Sequence, residues 1–130
     1  MDTGTKENLL TALHGEAFAY ARYKLMAARA LEGGDIDLAE MLEGIAAVEL
    51  NEHFAELAEL AGLVGPDDVN LVTAIQDENT EVEETYRLFA EAARAAGETA
   101  VAERFEEIRG DEREHLRTLE TALERLELPA

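Results

Sequence analysis

The chain has 130 residues, 47% of them hydrophobic, with 30 acidic residues against 11 basic ones and no cysteine. That length makes one domain, 1–130, with room for a real core, and a net charge of −19 argues against nucleic acid and anionic membrane surfaces as partners. The missing cysteines exclude disulfides, thiolate ligands and built-in iron–sulfur modules. Ala and Leu dominate, prolines number two and β-branched residues are few, which is the balance of an all-α protein. No apolar run approaches the ~20 residues needed to span a bilayer. The first residues, Met1 to Lys6, lack the basic-then-apolar order of a signal peptide. A cytoplasmic protein without a membrane partner is therefore expected.

The first predicted helix runs from about Thr5 to Glu32 and stops at Gly33-Gly34, a glycine end signal. Its apolar seam reads Leu9, Leu13, Glu16, Tyr20, Tyr23, Ala27, so Glu16 falls where a Leu belongs. The second begins at about Asp35, a plausible N-cap, and runs to Ala61. Its seam is Leu38, Leu42, Ile45, Glu49, His53, Leu57, Leu60, with one residue too many between Glu49 and His53. A π-bulge, a single wider turn, absorbs such a residue. A regular helix would instead turn Glu52 inward, leaving Glu49-x-x-Glu52 as the alternative pair.

Residues 63–69, with Gly65-Pro66-Asp67-Asp68, form the linker between a hairpin at 1–62 and a hairpin at 70–130. The third helix is expected to start near Asn70, read as a capping residue, and carries Leu71, Ile75, Glu78, Val82, Thr85, Phe89, Ala92. Glu78 interrupts that seam and Glu81 borders it one turn on. Gly97 separates it from the fourth helix, whose seam is Val101, Phe105, Ile108, Glu112, His115, Leu119, Ala122, Leu126. Glu112 and His115, three apart, share one face. A carboxylate in an apolar seam is costly unless paired or metal-bound. A single case would be read as a helix rotated toward solvent; here all four helices break their seams alike. Of the remaining polar and sulfur residues, His14 lies off the seam and reads as surface, and Met26 and Met41 as packing. Arg22 and Arg29 lack the clustering of a phosphate site, and three histidines cannot furnish a His-rich haemerythrin-type centre.

An internal repeat supports the pattern. At an offset of 62, Asn8-Leu9 matches Asn70-Leu71, Ala12 matches Ala74 and Glu16 matches Glu78. At 63, Leu38, Leu42, Ile45 and Glu49 match Val101, Phe105, Ile108 and Glu112; His53 and Leu57 then return to 62, matching His115 and Leu119. The register changes where the seam places the bulge. Glu16 lies 16 residues before the end of its helix and Glu49 lies 14 after Asp35. At ~1.5 Å per residue the two face each other within about a turn, and Glu78 and Glu112 do likewise about Gly97. Glu16, Glu49, His53, Glu78, Glu81, Glu112 and His115 can thus converge in a four-helix bundle, as the ligand set of a two-metal carboxylate site.

At these residues the sequence resembles the diiron domain of rubrerythrin, in the ferritin-like superfamily. The resemblance is carried by Asn8-Leu9-Leu10 through Gly15-Glu16 and Arg22-Tyr23, by Asn70-Leu71 through Glu78-Asn79-Thr80-Glu81 and Tyr86, and by Glu112-x-x-His115. It implies a ferritin-like four-helix bundle of two hairpins holding two iron ions, manganese or a mixed pair being the other options. Glu49 and Glu112 would bridge, Glu16, Glu78, Glu81 and His115 would be terminal ligands, and His53 would exchange with Glu81 on reduction. Tyr23 and Tyr86 would hydrogen-bond ligands or intermediates, or else serve as core residues with a polar tip.

The second-helix motif departs from the family's Glu-x-x-His, because Leu50 makes the pair Glu49-x-x-x-His53. No rubredoxin-like cysteine module is present, so electrons are expected from a separate donor such as a rubredoxin or flavoprotein. The implied activity is reduction of hydrogen peroxide or O₂. The alternatives are iron oxidation and storage as in ferritins, or a bundle that metal merely stabilises. In the ferritin-like arrangement the second and third helices run parallel, and a linker this short strains to return along the bundle. A homodimer is therefore expected, with hairpins exchanged between chains as the favoured form.

Overall fold

The computed structural model describes residues Met1–Leu128; positions 129 and 130 of the expected second hairpin lie outside the described residues. Among the described residues all regular structure is helical, in two compact units that divide between Val64 and Gly65. The first unit is a hairpin. α1 (Thr3–Glu32) starts at Asp2, whose carboxylate accepts from the Thr5 amide at 3.1 Å and so satisfies one of the helix's orphan N–H groups. The chain turns at Gly34, where φ is +83°, a left-handed conformation that glycine adopts without Cβ strain. The Asp35 amide then closes back on the Ala30 carbonyl at 3.0 Å. Asp35 caps α2 (Ile36–Val48) by accepting from the Leu38 amide at 3.0 Å. The second rod continues without a break through π1 (Glu49–Phe54) into α3 (Ala55–Ala61). The wide turn stands where the seam demanded an extra residue. Gly62, at φ +62°, ends the rod.

α1 packs along the whole second rod. Leu13 and Ala27 on one side and Ala39 and Ala46 on the other are the buried contacts. Three alanines of four let the two backbones approach closely, and the larger seam residues flank that line: Leu38 and Ile45 are 41% and 36% exposed. Met26 and Met41, expected as packing residues, are exposed instead. A two-helix layer buries only the strip between its rods, and these methionines stand on the face that a hairpin alone leaves bare.

The second unit repeats the plan with a difference. α4 (Asp67–Thr80) begins three residues earlier than Asn70. Pro66 occupies the cap, where its fixed φ suits helix entry, and Asp67 and Asp68 fill the first turn, facing the positive end of the helix dipole. Asn70 is not the cap; its side chain turns back and pairs with both the N–H and the C=O of Gly65, at 2.7 and 2.8 Å. The rod then widens into π2 (Glu81–Thr85) and resumes as α5 (Tyr86–Ala95). A turn at Gly97, φ +78°, leads into α6 (Thr99–Glu127). Val82, Ala90, Ala93 and Ala102 are buried, and Tyr86, Phe89 and Phe105 cluster with ring centroids 5.6–6.2 Å apart.

Candidate metal centre

The two hairpins each carry one cluster of donors. In the first, α1 supplies Glu16 and π1 supplies Glu49 and His53, with one ligand atom from each lying within 4.8 Å of the others. His53 Nδ1 stands 3.5 Å from Glu16 Oε2 and 3.6 Å from Glu49 Oε2. In the second, Glu78 from α4 and Glu112 and His115 from α6 gather in the same way. His115 Nδ1 is 3.8 Å from Glu78 Oε1 and 3.7 Å from Glu112 Oε1. The clusters match in exposure as well as in distance. The Glu49 and Glu112 side chains are 17% and 15% exposed, while the His53 and His115 rings are 50% and 60% exposed. The carboxylates lie deep and the imidazoles border the open face.

The π-turn explains how Glu49 and His53 share one face four residues apart. A regular helix advances 100° per residue, so four steps overshoot a full turn by 40°. A π-turn takes up more residues per revolution and removes the overshoot. α6 keeps regular geometry and reaches the same result with spacing three, Glu112 to His115. Glu52, the alternative partner of Glu49, is exposed and joins neither cluster.

Burial of like charges leaves its mark. Glu16 Oε2 and Glu78 Oε2 are buried with no hydrogen-bond partner, a costly condition for an anionic oxygen that a bound cation relieves. Glu112 is held above the usual carboxylate range, first by hydrogen bonding to Glu78 and then by burial. Glu81 is raised too, first by hydrogen bonding to Glu112, then by burial and by the Glu112 charge. Those contacts put Glu81 beside the second cluster, as its fourth acidic or imidazole group. The Tyr86 phenol is pushed up by burial and by the charges of Glu81, Glu112 and Glu78, so it faces the same carboxylates. Tyr23 is half-buried on α1. His14 is exposed.

The residues fit a metal. Hard oxygen donors with one imidazole per cluster and no thiolate suit iron or manganese, and the two orphaned oxygens supply the missing reason for a cation. π2 leaves no mark on the apolar seam of the third helix. Its signal lay in the repeat: Glu16 and Glu78 match at 62, but Tyr23 and Tyr86, Ala27 and Ala90, and Gly34 and Gly97 match at 63. The extra residue therefore sits inside the third helix and not in the turn after it. None of the curated proteins compared with the chain matches it at a significant level. The Rubrerythrin family does match, over residues 7–123. That span takes in both clusters and both π-turns, and the chain belongs to the rubrerythrin family.

Proposed function

We propose that the protein is a non-haem diiron oxidoreductase that reduces hydrogen peroxide, or O₂, with electrons from a separate donor such as a rubredoxin or flavoprotein. The observation that carries this reading is the duplicated Glu–Glu–His cluster with an orphaned buried carboxylate oxygen in each copy. Glu16, Glu49 and His53 would hold one ion, and Glu78, Glu112 and His115, with Glu81, the other; Glu49 and Glu112 would bridge. Iron held there would supply the two electrons that, with two protons, convert one peroxide to two waters. The chain's own groups do the rest. Clustered carboxylates would balance the cationic charge. Tyr86, its phenol pushed up, stays protonated at neutral pH and can donate a hydrogen bond toward the carboxylate cluster; Tyr23 holds the matching place on α1. The half-exposed imidazoles leave a small oxidant a way in.

Rapid mixing of the reduced, iron-loaded protein with peroxide and with O₂ tests the activity. Fast stoichiometric oxidation by peroxide is expected. Uptake of iron well beyond two ions per site would make it a storage protein, and inertness to both oxidants would leave metal a structural role.

A complete ligand set needs one hairpin of each kind, and we propose that a homodimer supplies it by exchange, residues 1–62 of one chain facing 70–130 of its partner. The support is the connector. Helix ends at Ala61 and resumes at Asp67, so the chain between them reaches about 20 Å when fully extended. The family's parallel second and third helices would require roughly 30 Å, from below His53 to above Glu78. Mixing Glu16→Ala chains with Glu78→Ala chains tests the exchange. An exchanged heterodimer has one doubly damaged site and one intact site, so metal binding should partly recover. No recovery, with chain mixing verified, would rule the exchange out.

A further inference from the structure

The two π-turns displace different backbone groups, and only one of these lies in water. A π-turn moves an amide's bond from the fourth to the fifth carbonyl before it and so strips one carbonyl of its usual donor. In π1 the Ala55 amide reaches back to Leu50, and the Asn51 carbonyl loses its donor. Asn51 is exposed, so solvent can satisfy it. In π2 the Tyr86 amide reaches back to Glu81, and the carbonyl deprived is that of Val82, a residue 2% exposed. A buried carbonyl must find another donor. It finds Arg109, whose Nε donates to the Val82 oxygen at 2.6 Å from across the hairpin. The guanidinium is itself largely covered, with 15% of the side chain exposed, and Glu106 lies 3.7 Å from its Nη1.

The first hairpin serves as an internal control. At the offset of 63 that governs this part of the repeat, Arg109 corresponds to Ala46. Ala46 is buried against α1, and α1 has no π-turn. The arginine is present where the opposing helix is bulged and absent where it is not.

We propose that Arg109 is a positioning residue for the metal centre: by holding the Val82 carbonyl it locks π2, the turn that aligns Glu81 and Tyr86 on the donor face. The role acts through Glu81 and rests on the metal-binding reading above. The test is cobalt(II) binding to metal-free protein, followed by d–d absorption, for wild type, Arg109→Met, Arg109→Lys, Glu81→Ala and the Glu81→Ala/Arg109→Met double variant. Arg109→Met should weaken cobalt binding about tenfold, the scale on which outer partners of metal ligands act. Arg109→Lys, which keeps an N–H donor, should restore most of it. In the Glu81→Ala background Arg109→Met should change affinity little, because the group it positions is gone. Unchanged affinity in Arg109→Met, or an equal loss with and without Glu81, overturns the proposal; the second result would make Arg109 a fold stabiliser alone. Should Arg109→Met fail to fold by circular dichroism, Arg109→Gln, which keeps a neutral donor and much of the stem, is compared with Arg109→Lys by the same cycle, a loss that persists without Glu81 again overturning it. Wild type that takes up no cobalt would instead defeat the metal-binding reading itself.

Discussion

The two hairpins are built to one plan and differ at the points where chemistry enters. Each has a first rod with an inward Glu at matching places, Glu16 and Glu78, a glycine turn with positive φ, and a second rod carrying Glu and His. The bulge, however, is in the second rod of the first hairpin and the first rod of the second. The first bulge aligns a Glu–His pair spaced four apart. The second brings in Glu81, whose counterpart at the offset of 62 is Ala19. The exposed faces differ too: where the first hairpin has Met26 and Leu42 lining an open groove, the second has Phe89 and Phe105 in an aromatic cluster. A duplicated frame thus carries unequal donor sets, three groups against four. If both clusters hold metal as proposed, inequality of this kind would let the two positions respond differently to oxidation state.

The largest effect expected comes from the pair that the two hairpins share. Replacing Glu49 or Glu112 by Ala should lower the metal content from about two ions per site to nearly none, since each is proposed to bridge. Elemental analysis reads this directly. Full retention in either variant would sink the ligand assignment, and loss of one ion of the two would mean that the clusters bind independently.

Removing the metal should expose the next difference. In metal-free protein Glu81 and Glu112 have raised pKa values, so the folded state binds their protons at higher pH than the unfolded state does. Stability from these groups is therefore lost as pH rises through the raised folded values, and regained as pH falls toward the ordinary carboxylate range. The metal-free protein should melt lower than the loaded one near neutral pH. The gap should close on acidification, because acid relieves one form and strips metal from the other. Glu81→Gln should shrink the rise in the metal-free form, leaving the share that Glu112 contributes through Glu78 and burial and the relief of overall charge. A metal-free melting temperature that falls as the pH is lowered from neutral toward the ordinary carboxylate range would contradict the clustering of these carboxylates.

Core substitutions sharpen the comparison at a smaller scale. Leu13 is 4% exposed, while its repeat partner Ile75 is only half-buried. Leu13→Ala should cost about 2–5 kcal/mol by cavity formation, and Ile75→Ala clearly less, measured by urea unfolding of the metal-free protein. Equal costs would mean that the two hairpins bury their first rods alike.

Much of this was legible in the sequence. The glycine turns at 34, 62 and 97, the Asp35 cap and the polar breaks in the seams all depend on local chemistry. π1 could be read because apolar residues on both sides of it, Ile45 and Leu57, fix two registers that a regular helix cannot join. π2 was hidden because Glu78, Val82, Thr85 and Phe89 keep a plausible spacing of four, three and four without any bulge. The start of α4 was placed late since Asn70 and Pro66 both suit a helix entry; only the backbone of Gly65 decides what Asn70 does. The line of closest packing was also misplaced by one residue. A hydrophobic stripe draws the eye to Leu38 and Ile45, yet Ala39 and Ala46 make the tight contact because they are small. Arg109 carried no sequence signal at all, since its partner is a backbone carbonyl.

The smallest expected effect lies at the two turns. Asp35 and Glu98 occupy the same step of the repeat, after Gly34 and Gly97, with nearly the same backbone: φ −90° and ψ 83° against φ −90° and ψ 67°. Asp35 accepts from the Leu38 amide at 3.0 Å, whereas the Glu98 side chain makes no such bond. The difference is one methylene. Asp reaches the third amide of the helix from its cap position, and the longer Glu side chain must fold back at an entropic cost to do so. Glu98→Asp should therefore install the missing cap and stabilise the second hairpin, while Asp35→Ala should destabilise the first, each by about 0.5–1 kcal/mol. Both are read from urea midpoints of metal-free protein, where bound metal does not mask them, with charge unchanged in Glu98→Asp. A neutral or destabilising Glu98→Asp would show that the turn at Gly97 is not the structural equal of the turn at Gly34.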